Sequence, residues 1–181
     1  MSLPALAAAL REHGGTVATL VVAVGDEPRD GDTLPDTSHP PQLAARGPRV
    51  VQRAGEYELL LEMIFEGSLL HYGTPRVLRV EDPDLALLLG DQLYALGLSR
   101  LAELGDLEAV AELADLISLL AQARAADDDR LAEAVWQAGA AAIGWGTTAE
   151  HEAAKALARA GDRGAVAALR RSARREAADR Q

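Results

Sequence analysis

The sequence predicts an all-α fold, a compact multi-helix bundle. Nearly half of the 181 residues are hydrophobic but only 3% are aromatic. The core must therefore be assembled from Ala, Leu and Val, which suits close helix packing better than an aromatic-rich sandwich. Beyond residue 49 the apolar side chains fall in runs of helical length, broken by Gly, Pro and Asp where helix starts and stops are required.

Leu3 to His13 is rich in Ala and Leu and ends at Gly14-Gly15, a good helix stop. Residues 16–24 are β-branched and apolar, and periodicity over so short a run leaves strand and buried helix equally open. Residues 1–24 thus form an N-terminal helix and short apolar segment. Residues 25–48 hold five of the eight prolines, Pro28, Pro35, Pro40, Pro41 and Pro48, with several Asp and Gly. That spacing predicts a long mobile linker with no helix. Residues 49–181 are expected to form the helical bundle domain, with a basic end.

Within that domain the first predicted helix spans about 50–72 and stops at Gly73-Thr74-Pro75. A short extended segment, 76–80, leads to Pro83, which suits the first turn of a helix over 83–104. That helix would be roughly 33 Å long, and its leucines point in nearly every direction, which predicts the buried centre of the bundle. Gly105 ends it and Asp106 caps the next. Residues 107–124 place Leu107, Val110, Leu113, Ile117 and Leu120 on one face, with Glu108, Glu112 and Asp115 on the other. Asp127 to Asp129 open a helix through Trp136 to Ile143. Thr147 and Glu150 have the spacing of a capping box for another, and a last helix follows Asp162 into an Arg-rich end.

The formal net charge is −10. Residues 155–181 carry eight basic and three acidic side chains, a balance of +5, so the preceding part carries −15. That acidity argues against nucleic-acid binding, which needs a continuous basic surface. No apolar run approaches the roughly 20 residues of a membrane span, and the first residues lack the order of a secretory signal. A soluble cytoplasmic protein is expected. The absence of cysteine excludes disulfides and thiolate metal sites.

The stretch Glu62-Met63-Ile64-Phe65-Glu66-Gly67-Ser68-Leu69-Leu70-His71-Tyr72-Gly73 resembles the helix of trans-polyprenyl diphosphate synthases that reads roughly E-x-I-H-x-A-S-L-L-H-D-D-x-x-D. Gly73-Thr74-Pro75 is similar to that family's G-x-P turn. Leu88-Leu89-Gly90-Asp91-Gln92-Leu93, with Ala95, is similar to its A-G-D-x-L-x-x-x-A helix, and the run 113–117 follows at a similar spacing. The resemblance covers about residues 55–125 and implies an isoprenoid-synthase-like bundle. The departure from the pattern is chemical. Where the family's first aspartate-rich motif begins, this chain has Tyr72 and Gly73, which offer no carboxylate to the hard Mg²⁺ that the family uses to clamp a diphosphate. No second D-D-x-x-D follows. The resemblance therefore points to the family's non-catalytic small subunits, which pair with a catalytic subunit and influence product length or stability. On that reading no residue is catalytic, no metal or cofactor is bound, and Gly90, Ala95 and Gly97 permit close helix approach. Ser68, His71, Tyr72, Asp91 and Gln92 become the candidate ligand or partner contacts, and the partner is a synthase catalytic subunit or a second copy.

Each candidate also has a plainer explanation. Asp91 falls among Leu87, Leu88, Ala95 and Leu98 on the helical wheel, which predicts a satisfied core aspartate. His71 and Tyr72 suit either a remnant polar pocket with Glu66 or an ordinary helix C-terminus, where a histidine is favourable against the dipole. Asp82, Asp84 and Asp127 to Asp129 read as helix starts. The strip Arg170, Arg171, Arg174 and Arg175 reads as a solvated helix end, although it offers peripheral contact with an anionic membrane surface or an acidic second copy. No two histidines have zinc-helix spacing, and no phosphate loop or nucleophile elbow is present. Two further function classes stand beside the subunit reading. One is an unrelated helical adaptor or self-associating protein. The other is a magnesium-dependent isoprenoid enzyme with a rearranged acidic site drawn from Asp82, Asp84, Asp91 and Asp127 to Asp129.

Overall fold

A computed structural model of the chain describes residues 3–22 and 39–178. Among the described residues the protein is all-helical: α1 (Leu3–His13), α2 (Gly15–Thr19), α3 (Pro40–Ala45), a 3-10 turn at Val51–Arg53, α4 (Ala54–Tyr72), α5 (Pro83–Glu103), α6 (Leu107–Ala125), α7 (Asp129–Trp145), α8 (Ala149–Arg159) and α9 (Ala165–Ala178). No described helix is long and apolar enough to cross a membrane. The chain divides into two compact units. One comprises the described residues of Met1–His39 with Glu58–Arg100, the other Pro40–Tyr57 with the described residues of Leu101–Gln181.

The first unit is built on α4. Leu60, Leu61, Met63, Ile64 and Leu70 are buried on several sides of this helix, and Glu62 and Glu66 are buried with them. Its core also takes Leu6 and Leu10 from α1, Val17 from α2, Val77 and Leu78 from the segment before α5, and Leu89 and Leu93 from α5. Helices α4 and α5 run antiparallel at very short range. A Cβ on Gly97 would stand 2.7 Å from Ile64 Cδ1 and 3.1 Å from the Leu60 carbonyl oxygen, and one on Gly90 would stand 3.1 Å from the Gly67 carbonyl oxygen. A side chain at either position would have to displace the Ile64 or His71 side chain and press on the facing backbone.

The placement of α5 corrects the expectation that it is the buried centre. Leu87 and Leu88 are 47% and 67% exposed, and Ala95 and Ser99 are exposed on the same face. Helix α4 is the enclosed one, because its polar groups find partners inside the core. The undecided segment after Gly15 is both things in turn. Gly15–Thr19 is helical, and then Val21 bridges Leu78 in antiparallel fashion, with Val22 N–H donating to Val77 O at 3.0 Å and Arg79 N–H to Leu20 O at 3.0 Å. Of the predicted linker, residues 25–38 lie outside the described residues, as do residues 23–24. Its end is helical, however: Pro40 and Pro41 occupy the first turn of α3, where a missing N–H costs nothing.

The second unit is built on α7, in which twelve of seventeen residues are buried and most of those are Ala or Gly. Small side chains on every face let α3, α6 and α9 all pack against it. At Gly144 the backbone of α3 comes so close that a Cβ would meet the Ala44 carbonyl oxygen at 2.5 Å. Asp106 caps α6 as predicted, accepting from Ala109 N–H. The buried face of α6 differs from the expected one: Leu107 is exposed, while Glu112 joins Leu113, Leu116 and Leu120 inside. The cap of α8 is Thr148, which accepts from His151 N–H, rather than Thr147, whose hydroxyl reaches Glu108 Oε1 at 3.1 Å. A Gly144→Ala substitution is expected to destabilise the protein by about 1–3 kcal/mol through overpacking against a backbone that cannot retreat. A lowered urea midpoint would show it; Gly55→Ala, whose added Cβ meets nothing within 4 Å, serves as the control.

Candidate functional site

The residues carrying the family resemblance lie on α4 and α5 in the first unit. His71 and Tyr72 end α4, and Asp91 lies on the facing part of α5. His71 Nε2 stands 3.1 Å from Asp91 Oδ1, without hydrogen-bond direction. Its ring stacks on Tyr94 at 5.2 Å and 22° and adjoins Tyr72 at 5.5 Å. Gly90 makes room for this ring, since a Cβ there would lie 2.6 Å from Nε2. Burial pushes the Tyr94 hydroxyl above the ordinary phenol range, and Tyr72 and Asp91 push it further.

The structure thus brings His71, Tyr72 and Asp91 together, with Tyr94 as an unpredicted fourth member. It does not bring in Ser68 or Gln92. Ser68 is buried and its hydroxyl donates to the Phe65 carbonyl oxygen at 2.7 Å; Gln92 is exposed on α5. Asp91 is not a core aspartate. Its side chain is 74% exposed, because the α5 face that holds it, together with Leu87 and Leu88, is the outward one. Glu66 also stands apart from the His71 group.

Glu66 and Glu62 instead form a polar box inside the first unit. Glu66 Oε1 accepts from the backbone N–H groups of Arg76 and Val77 at 2.7 and 2.8 Å, and its Oε2 accepts from Arg76 Nε at 3.1 Å. Arg76 Nη2 donates to Glu62 Oε2 at 2.7 Å. The guanidinium also lies 4.7 Å over the Phe65 ring, a cation–π contact. His39 completes the box. Its Nε2 lies 3.1 and 3.3 Å from the two Glu62 oxygens and 3.0 Å from Arg76 Nη1. A ring with the proton on Nε2 donates to Glu62, whereas the other tautomer accepts from Arg76. Burial raises the Glu62 carboxyl, but the His39 bond and the Arg76 charge outweigh it and hold the group at about 2.

A second polar box fills the second unit. Glu112 of α6 receives His151 Nε2 and Lys155 Nζ from α8, each at 2.7 Å. Lys155 Nζ also reaches Asp115 at 2.8 Å and Glu152 at 2.7 Å, and Arg159 pairs with Asp115. His151 Nδ1 lies 3.4 Å from the Ser172 hydroxyl of α9. The order Ser172, His151, Glu112 imitates a nucleophile, base and orienting acid. Its geometry serves packing instead: the serine hydroxyl donates to Leu169 O at 2.9 Å, and Ser172 and His151 are each 1% exposed, so no substrate reaches them. Glu112 and Asp115 are raised by burial and lowered more strongly by these partners. Asp106 is governed likewise, by Arg49, Tyr57 and the Ala109 N–H.

Two of the other acids bond backbone N–H groups at helix starts. Asp82 Oδ1 accepts from Asp84 N–H at 2.9 Å at the start of α5, and Asp128 Oδ1 accepts from Leu131 N–H at 2.9 Å at the start of α7. Among the described residues no three His, Asp or Glu side chains come together in a group suited to hold a metal ion. Sequence reasoning missed His39, Arg76, His151 and Lys155. Part of the signal for the last pair was present: the two stand one turn apart on α8, and Glu112 shares i, i+4 and i+8 spacing with Leu116 and Leu120 of α6.

The class that fold and site define is an all-α protein whose interior carboxylates are neutralised by its own cations. No protein-family model matches the chain, and neither does any curated protein or solved structure.

Two outcomes follow from these boxes. Lys155→Met leaves the buried Glu112 with His151 alone and takes the cation from Asp115 and Glu152 as well, and is expected to cost about 3–5 kcal/mol in urea unfolding, whereas Arg171→Met, on the exposed face of α9, changes stability by less than about 0.5 kcal/mol. The acid side of the stability profile follows from the lowered carboxyls of Glu62, Asp106, Glu112 and Asp115. Below the unfolded values of about 4 the unfolded chain binds more protons than the folded one, so stability falls with falling pH. Their contribution is complete above about pH 5 and is lost towards about 2, where Glu62 titrates in the fold. Circular dichroism in urea at stepped pH should show this loss, and Glu62→Gln should flatten it.

Proposed function

We propose that this chain is a non-catalytic helical subunit or regulator that pairs with a polyprenyl diphosphate synthase. The observation that carries the proposal is the α4–α5 hairpin. The two segments that resemble the synthases pack directly on each other through Gly67, Gly90 and Gly97. Yet of the acidic groups in these two segments, Glu62 and Glu66 are locked to Arg76 and His39, and Asp91 is turned outward. A synthase needs convergent carboxylates to hold Mg²⁺ against a diphosphate; a subunit needs only the helical frame. The same observation speaks against the magnesium-dependent enzyme with a rearranged acidic site.

The test is affinity capture of the intact protein from its native cells with mass spectrometry, followed by mixing the purified pair. A full-length polyprenyl diphosphate synthase is expected among the captured proteins, and its product length or thermal stability should shift on mixing. The chain alone should show no magnesium-dependent prenyl transfer. Capture of only the chain itself, or of unrelated proteins, would count against the proposal. A second reading, a self-associating helical adaptor, is favoured by the exposure of Leu87 and Leu88 on α5.

A further inference from the structure

Two stretches of this chain, one leading into α5 and one into α9, each carry charges of a single sign, and the signs are opposite. Between Arg79 and Arg100 the chain carries Glu81, Asp82, Asp84 and Asp91 and no basic residue. All four are exposed, and Leu87 and Leu88 lie between the last two on the outward face of α5. Between Asp162 and Glu176 it carries Arg163, Arg170, Arg171, Arg174 and Arg175 and no acidic residue. Arg170 is held by Glu133 at 2.9 Å. Arg171 and Arg174 are exposed one turn apart on α9; the side chain of Arg175 lies outside the described residues.

We propose that the outward face of α5 in one copy is covered by α9 of a second copy. Arginine suits this occupancy better than lysine does. Its three methylenes lie along apolar surface while the planar guanidinium stays free to pair with a carboxylate in two-point fashion. The stems of Arg171 and Arg174 cover Leu87 and Leu88, and their guanidinium groups reach Asp84 and Asp91. Those two acids stand seven residues apart, about 10.5 Å along the helix, and bracket the leucines. Among the described residues the strip on α9 offers no large exposed apolar side chain of its own, so electrostatic attraction directs the contact and arginine stems exclude water from it. The contact joins two different surfaces, so it repeats from copy to copy and its extent rises with concentration. The inference rests on the adaptor reading and is independent of any synthase partner.

Light scattering after size exclusion on the intact chain tests it. At about 50 mM salt the mass should rise above the 19.1 kDa of one copy as concentration increases, and at about 500 mM it should return to one copy, since screening shortens the reach of exposed charges to a few ångströms. Arg171→Glu with Arg174→Glu should abolish association, as should Asp84→Arg with Asp91→Arg, each with unchanged helical circular dichroism. Mixing the two reversed proteins should restore it, because each then supplies the sign the other lacks. A wild-type mass of 19.1 kDa at every concentration in low salt, or association that survives both reversals, would overturn the proposal.

Discussion

Glu62 and Glu66 enter the core of the first unit on successive turns of α4, and both are fully buried. Two desolvated carboxylates side by side are tolerable only when a cation meets them within the core. Arg76 does so, bonding both through its guanidinium, while its own backbone N–H and that of Val77 satisfy Glu66. This fixes more than charge. It pins the segment after α4 in the one position from which Leu78 pairs with Val21, and it sets where the chain turns into α5. The glycine contacts between α4 and α5 depend on that turn, since backbones packed this closely leave no slack in register.

The second unit solves the same problem with different residues. Lys155 and His151 answer Glu112 from one face of α8, and Ser172 brings in α9. Buried ion pairs of this kind add little net stability compared with well-packed apolar residues, but removing one partner is costly. Their effect here is to select which face of α6 turns inward. Packing alone would accept the stripe led by Leu107; the ion pairs admit only the one that contains Glu112.

That contrast explains how much was legible in the sequence. Helix existence could be read because Gly73, Pro83, Gly105, Asp106 and Asp128 punctuate the chain by local chemistry, and each acts as local chemistry requires. The facing of the helices could not. In a chain rich in Ala and Leu nearly every face of α5 is apolar enough to be buried, so the wheel did not reveal that Leu87, Leu88 and Asp91 look outward. Partners distant in sequence, such as His39 with Glu62 or Arg49 with Asp106, leave no periodic trace. Of the candidate contacts, His71 and Tyr72 could be placed at the end of α4 from the turn signals after them, but their nearness to Asp91 rather than Glu66 could not. Neither could the inward rotation of Ser68.

The central claim is that the interior carboxylates of α4 are held by Arg76, and unfolding free energies of paired variants test it most directly. Arg76→Met alone should cost about 3–5 kcal/mol, because Glu62 is left buried beside an apolar side chain. Adding Glu62→Met should recover much of that loss, since one of the two carboxylates that Arg76 answered is gone and Glu66 keeps its two backbone donors. A cost for Arg76→Met below about 1 kcal/mol, or losses that simply add in the double variant, would contradict the account.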